Sequence, residues 1–186
     1  KMVRQFLRLA HGGDRRLDRA NQADSFPPVA LREVLAEVFE ASPVETTEIA
    51  SERWQVEISH AAMVRVPVGM VREACHLLVC ELSSLAVAGS SLKVIAGPPD
   101  GGQVCCRFIG RGMPMLPEMR EEIFEPFGLP LANVGTGLAF ALVRQLMAQS
   151  GGAVAAQVPR TGEIEIELRF PAAGLEPEGA VAAVRP

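Results

Sequence analysis

The sequence contains no apolar run of the roughly 18 residues that a membrane-spanning helix needs. Residues 1–20 are too rich in charged side chains for a secretory signal, whose central part is a continuous apolar stretch. We therefore expect a cytoplasmic fragment that makes no contact with a membrane. The net charge of -4 gives no electrostatic attraction for nucleic acid, so we expect no nucleic-acid partner either.

The cysteines do not form a metal-binding or redox motif. Cys75, Cys80, Cys105 and Cys106 lack CxxC spacing, and no pair of histidines lies near them in the sequence. This pattern argues against both a zinc ribbon and a redox dithiol. We expect reduced, mostly buried thiols, which behave as small apolar side chains.

The chain does contain enough apolar material for one main domain. Its 186 residues, 48% hydrophobic and 22% charged, are typical of a soluble domain that needs neither disulfides nor metal to fold. Apolar residues at helical spacing predict the end of a helix at 1–20, followed by a polar linker at 21–28. The main domain is expected at 29–171. Residues 172–186 have too little bulky apolar surface to fold, which predicts a disordered tail.

Apolar periodicity predicts both helices and strands within the main domain. Apolar residues three and four apart indicate helices at 29–40, at 69–88 and after Gly137, and a short amphipathic piece is expected at 117–124. Strands are predicted at 45–50, 53–59, 92–96, 104–109, 153–158 and 163–170. Strand pairs separated by helices predict a two-layer α/β sandwich with a mixed, mainly antiparallel sheet and helices on one face.

Four short motifs follow one another in the second half of the chain: GRGMP at 110–114, EEIFEPF at 121–127, GTGLAF at 135–140 and GG at 151–152. This succession resembles the first glycine box, phenylalanine box, second glycine box and closing turn of the ATP-binding domain of sensor histidine kinases. That domain belongs to a superfamily shared with Hsp90-type chaperones, type II topoisomerases and mismatch-repair ATPases. In the alternative interpretation, the glycines only serve turns and helix ends. We expect the glycines at 151–152 to do so under both interpretations.

The resemblance covers about residues 29–171 and implies a nucleotide pocket. Glycines in such motifs let the backbone approach phosphate oxygens, and the exposed N–H groups at a helix start attract anions. The residues implied to line the pocket from these motifs are Gly110, Gly112, Phe124, Phe127, Gly135 and Gly137. Residues 1–20 would then be the end of the dimerisation helix, which implies a homodimer that works with a response regulator or a partner kinase.

The position that would recognise adenine does not fit the family pattern. Members that bind ATP carry an aspartate two residues before the first glycine box, and Phe108 stands there. Strand alternation places Phe108 on the same face as Val104 and Cys106, so its ring is expected to point inward. A phenyl ring offers no hydrogen-bond acceptor and fills the space that adenine would need.

The magnesium and phosphate positions also depart from the pattern. On the helix at 69–88, Leu85 stands where the family has its metal-binding asparagine, and Ala88 stands where it has a lysine. Magnesium requires oxygen ligands, which leucine lacks. No asparagine occurs between Asn21 and Asn133, so a shift of alignment does not supply one. We therefore expect no cofactor, with ATP and Mg2+ bound only if the pocket is functional.

Glu81, on the same helix, matches a position that carries the catalytic base in the ATPase relatives. The alternative is a solvated glutamate beside the apolar stripe. The chain has three histidines. His11 lacks the neighbours of a phosphorylated histidine, and His60 and His76 are expected to be structural. The acceptor histidine of the intact protein is thus expected before residue 1.

Three hypotheses follow. The favoured one is a pseudokinase-type module of a two-component system, which keeps the domain as a docking surface without binding ATP. The second is an active histidine kinase domain with an altered pocket. The third is an ATPase in which Glu81 activates water, and the missing magnesium position makes it the weakest.

Overall fold

The computed structural model describes residues 26–41, 54–128 and 137–174. The predictions made for residues 1–20, for the strand at 45–50, for Gly135 and for residues 175–186 lie outside these ranges. Within them, no helix is long and apolar enough to cross a membrane.

A five-stranded sheet forms the frame of the domain. Its strands are β2 (Trp54–Ile58), β4 (Ser91–Ala96), β5 (Gln103–Arg111), β6 (Ala153–Gln157) and β7 (Glu163–Pro171), in the spatial order β2-β4-β5-β7-β6. The β2–β4 pair is parallel, and the other three pairs are antiparallel. The predicted mixed, mainly antiparallel sheet is therefore confirmed.

The alternation of residue types along β7 separates the two faces of the sheet. Ile164, Ile166, Leu168 and Phe170 are buried, whereas the glutamates between them lie on the other face. On that outer face Arg111 lies 3.1 Å from Glu163, and Lys93 lies 2.7 Å from Glu57, so cross-strand ion pairs cover it. Only the inner face is apolar enough to pack against helices.

Among the described residues, three α-helices cover the inner face: α1 (Leu31–Ala41), α2 (Val68–Leu85) and α3 (Leu138–Gln149). Their buried residues belong to the same core as the inner face of the sheet. In α3 the buried residues are Phe140, Val143 and Met147, which lie three and four positions apart and so share one face of the helix. A 3-10 helix, Pro117–Glu121, stands where the amphipathic piece was predicted.

A small second sheet changes two of the predicted boundaries. β1 (Val29–Ala30) pairs with β3 (Met63–Val64), so residues 29 and 30 are strand rather than the first residues of a helix. After Pro171, the N–H of Ala172 donates to Gly102 O and that of Ala173 to Met63 O. The hydrogen-bonded chain thus extends two residues past the point where the tail was predicted to begin.

Gly152 joins α3 to β6 where the backbone of β7 passes close by. A Cβ at this position would lie 2.6 Å from Arg169 O and 2.6 Å from Met147 Cε. We expect Gly152→Ala to lower the free energy of unfolding by about 1–3 kcal/mol, because the helix and strand must separate to admit the methyl group. Urea unfolding monitored by circular dichroism measures this loss.

Gly69→Ala is the matched control, since a Cβ at Gly69 meets no atom within 4 Å and the position lies in helix α2. It is expected to be neutral or to gain up to about 1 kcal/mol from helix propensity. Equal stabilities for the two variants would contradict the close packing at Gly152.

Candidate functional site

Phe108 lies on the inner face of β5, as the strand alternation predicted, and its side chain is fully buried. Its ring packs edge-on against Trp54 of β2 with the centroids 6.3 Å apart, and Trp54 in turn packs against Phe39 of α1 at 5.5 Å. The Trp54 indole N–H donates to Ser83 Oγ on α2 at 3.0 Å. The ring at the position that the family resemblance assigns to adenine recognition is therefore part of an aromatic cluster that joins the sheet to two helices.

The position that the family resemblance assigns to a metal-binding asparagine is also part of the core. Leu85 is the last residue of α2 and is fully buried, whereas Ala88 is exposed in the following turn. Among the residues that the structure describes, no group of three or more His, Cys, Asp or Glu side chains could hold a metal ion. Since Leu85 supplies no oxygen ligand, these residues do not fit magnesium.

Glu81 is neither a fully solvated residue nor part of the apolar core. It lies one turn before Leu85 on α2 and is half-buried. Burial raises the pKa of its carboxyl, and a hydrogen bond from the backbone N–H of Gly137 partly opposes this shift. Its Oε1 is buried and has no hydrogen-bond partner within the described ranges. The start of α3 is thus held against a carboxylate of α2.

The first glycine box has the backbone geometry that its glycines permit. Gly112 has a φ of 70°, in the left-handed region, and a Cβ there would lie 3.3 Å from Ser90 Cα. Gly110 packs equally closely, because a Cβ would lie 3.0 Å from Met113 Cγ and 3.1 Å from Ile164 Cγ2. Both glycines therefore have a structural requirement that does not depend on a ligand.

Ser90 links the end of α2 to this glycine box, and sequence reasoning missed it. Its Oγ donates to the Gly112 carbonyl at 2.7 Å and accepts from the Val87 N–H at 2.9 Å. Only 8% of Ser90 is exposed, and it is the one polar residue classed as buried in the described part of the chain. In the sequence, only the position of Ser90 directly before a strand could have indicated its role. Trp54 and Ser83 were missed as well, because their contact joins segments that are distant in the sequence.

The second glycine box is described only from Gly137 onwards. Gly137 is buried, has a φ of 66° and precedes the first turn of α3. No side chain caps the helix at this position, and the first turn carries no acidic residue. N–H groups at a helix start attract anions in general, and the binding of a phosphate by this glycine box stays a prediction.

The two phenylalanines of the phenylalanine box have different surroundings. Phe124 packs on the core, and the Arg144 guanidinium of α3 lies 6.0 Å from its ring centroid. Arg144 also lies 3.3 Å from Glu125, so this segment is tied to α3. Phe127 is 71% exposed and has a φ of 62°, an unusual backbone conformation for a residue with a side chain.

Comparison with known proteins places this arrangement in a known fold. No family model matches the chain. A stretch of 79 residues is 37% identical to sensor histidine kinase GtrS of Pseudomonas aeruginosa, covering 41% of this chain and 17% of that protein. The mycobacterial sensor histidine kinase MprB superposes with a TM-score of 0.63 at 20% identity, covering 78% of this chain and 97% of that structure.

Two further structures extend the comparison. Full-length ShkA in complex with AMPPNP gives a TM-score of 0.67 at 24% identity, covering 92% of this chain and 34% of ShkA. Histidine kinase ThkA in complex with response regulator TrrA gives 0.61 at 14% identity, covering 92% of this chain and 56% of that one. The chain thus has the fold of histidine kinase catalytic domains and spans a small part of the full-length kinases.

Packing at Phe108 is testable through the single tryptophan of the chain. We expect Phe108→Ala to lower the free energy of unfolding by about 3–5 kcal/mol and to shift the fluorescence of the folded protein to the red, since the indole loses an aromatic neighbour. Phe140→Ala is the control, because Phe140 is equally buried without an aromatic contact to Trp54. It should lose comparable stability without the spectral shift, and an identical spectrum for both variants would contradict the cluster.

Glu81 gives a prediction of pH dependence. Because the pKa of Glu81 is raised in the folded state, the native protein holds this proton more tightly than the unfolded chain does. Ionisation of the carboxyl above the ordinary Glu pKa therefore lowers the free energy of unfolding. Glu81→Gln mimics the protonated form. It should raise the free energy of unfolding at neutral pH, and the gain should shrink as the pH falls to the ordinary Glu pKa. Urea unfolding over this range measures the gain.

Glu73→Gln, on the exposed face of the same helix, removes the same charge without the burial and is the matched control. A Glu81→Gln variant that is less stable than wild type at neutral pH would show that the ionised carboxylate is a net stabilising group.

Proposed function

Starting from the fold of a histidine kinase catalytic domain, we propose that this chain is a pseudokinase-type module of two-component signal transduction. It keeps the kinase domain as a docking surface and regulates or relays phosphoryl transfer without binding ATP. The observation that carries the proposal is the burial of Phe108 against Trp54 at the position of the adenine-binding aspartate.

The loss of adenine recognition has two parts. A phenyl ring accepts no hydrogen bond from the adenine amino group, and a base edge inserted beside it leaves a polar group unpaired. Together these effects cost about 2–5 kcal/mol. This corresponds to an affinity loss of about 30-fold to a few thousand-fold. In addition, the aromatic cluster would have to open before a base could enter.

The phosphate end of the pocket supports the same proposal. Leu85 cannot bind magnesium, and the exposed Ala88 supplies no positive charge to the phosphates. Phosphoryl transfer from ATP depends on metal ions and positive side chains that neutralise the charge developing on the phosphates. Three separate parts of the recognition of ATP are thus changed, while the residues that build the fold remain.

We further propose that the module acts in the cytoplasm as a homodimer through residues 1–20, with a response regulator or partner kinase as its binding partner. The structure of ThkA with its response regulator TrrA supports this choice of partner class, because a kinase of the same fold forms such a complex.

The alternative is an active kinase domain with an altered pocket. Gly112 and Gly137 favour it, because both keep left-handed backbone conformations and Gly137 still opens α3 without a capping side chain. Such a domain would use ATP to phosphorylate a histidine elsewhere in the intact protein. We favour the pseudokinase, because Phe108 is buried at the position of the adenine-binding aspartate. The glycines do not decide between the two functions, since the local packing also requires glycines of this kind.

Calorimetric titration of the whole 186-residue chain with ATP and Mg2+ tests the proposal. We expect no measurable binding at ATP concentrations up to the millimolar range. A micromolar dissociation constant would overturn the proposal and favour the active kinase, which further predicts autophosphorylation of the full-length protein that depends on Gly135 and Gly137.

Restoring the missing groups provides the converse test. Phe108→Asp combined with Leu85→Asn should create measurable ATP binding, because the pair returns the adenine acceptor and a magnesium ligand. Both positions are fully buried, so folding must be verified by cooperative unfolding. Phe108→Asn with Leu85→Asn is the milder second variant, since a neutral amide is less costly to bury than a carboxylate. A folded variant that binds no ATP would contradict the assignment of Phe108 to adenine recognition and of Leu85 to magnesium binding.

A further inference from the structure

A cavity of about 190 Å³ opens on the outer face of the sheet, over strands β2, β4 and β5. Gln55, Lys93 and Ile109 are register partners across these three strands, and Ser91 and Arg111 are partners in the neighbouring row. All five residues line the cavity. Its walls are therefore held at fixed spacings by the hydrogen-bonded sheet rather than by a loop.

The floor of this outer-face cavity is apolar. Ile95 and Ile109 line it, and both side chains are half-buried on the face that carries the cross-strand ion pairs. Side chains of this kind lose contact with water when a ring or a hydrocarbon chain lies on them, which is favourable. The floor thus favours a ligand with an apolar part.

The rim of the cavity is positively charged. Lys93 and Arg111 line it, and none of the described residues that line it is an aspartate or glutamate. Lys93 pairs with Glu57 at 2.7 Å. Arg111 pairs with Glu163 at 3.1 Å. Both carboxylates lie outside the cavity, so the two cations face it without an acidic side chain between them.

Glu163 serves two arginines at once. Arg160 lies 2.6 Å from it, in addition to Arg111. Hydrogen bonds from Arg111 and Arg160 hold the pKa of Glu163 below its ordinary value, so this carboxylate is ionised at neutral pH. One negative charge shared between two guanidinium groups leaves a surplus of positive charge beside the cavity.

We propose that the outer-face cavity binds a small organic carboxylate. The apolar part of the ligand lies on Ile95 and Ile109. Its carboxylate is bound by Arg111, whose planar fork matches the two carboxylate oxygens, and by Lys93. The volume suits a ligand with a single ring, since a protein cavity of about 150 Å³ is enough to bind benzene.

The position on the sheet separates this cavity from the residues of the proposed function. Ile109 and Arg111 point to the outer face of β5, whereas Phe108 points into the core. A ligand bound in the cavity would lie on the opposite side of the sheet from the position that the family resemblance assigns to adenine. The inference therefore does not rest on the proposed function.

Titration of the whole isotope-labelled chain with benzoate, followed by NMR, tests the inference. We expect saturable shifts of the backbone N–H signals of β2, β4 and β5 around the cavity, with a dissociation constant in the millimolar range. Benzyl alcohol offers the ring without the charge, and acetate offers the charge without the ring. At constant ionic strength, each should bind at least about fivefold more weakly than benzoate.

Single substitutions locate the binding site. Arg111→Gln and Lys93→Gln should each weaken benzoate binding about five- to tenfold, because each removes a charged partner of the carboxylate. Arg107→Gln is the matched control, since Arg107 lies on the same strand and face and pairs with Glu165 at 3.5 Å, but does not line the cavity. It should leave the affinity for benzoate within about twofold of wild type.

Acetate or benzyl alcohol that binds as tightly as benzoate would overturn the inference, because only the rim or only the floor would then contribute. Equal losses in Arg111→Gln and Arg107→Gln would overturn it as well, since they would show a general attraction of anions to the sheet face. So would the absence of saturable shifts around the cavity at tens of millimolar benzoate. If Arg111→Gln does not fold, Lys93→Gln decides by the same comparison. None of these outcomes bears on the proposed function, which the titration with ATP tests separately.

Discussion

The inner face of strand β5 must be buried in the core that the sheet shares with the helices, and the rest of the domain depends on this burial. β5 is the central strand of the sheet, and every inward side chain along it from Val104 to Phe108 is fully buried. The resemblance to histidine kinase catalytic domains places the adenine-recognising residue at Phe108, near the end of this face of β5. Here Phe108 adds its ring to the core, so the residue to which the proposed function assigns the loss of adenine recognition also helps to build the fold.

Much of this arrangement could be predicted from the sequence. Strand alternation placed Phe108 on the inner face, and the order of strands and helices predicted the mixed, mainly antiparallel sheet. Apolar spacing predicted a helix at 69–88, which the structure shows at Val68–Leu85. These features depend on local periodicity, which a single sequence displays directly.

Features that depend on contacts between distant segments could not be predicted in the same way. The hydrogen bond between Trp54 and Ser83 joins residues 29 positions apart, and neither residue carries a local signal for it. The sequence left Glu81 open between a catalytic base and a solvated residue, because the Gly137 N–H that affects its carboxyl lies more than fifty positions further along the chain. Residues 29 and 30 continue a helical pattern, but they form strand because Met63 and Val64 pair with them.

The central claim is that Phe108 occupies the site where adenine would bind. A crystal structure of the chain grown with AMPPNP and Mg2+ tests it most directly. The account predicts a Phe108 ring that still packs edge-on against Trp54, with no nucleotide density between β5 and α2. Density for the base beside β5, with Phe108 turned out of the aromatic cluster, would contradict it.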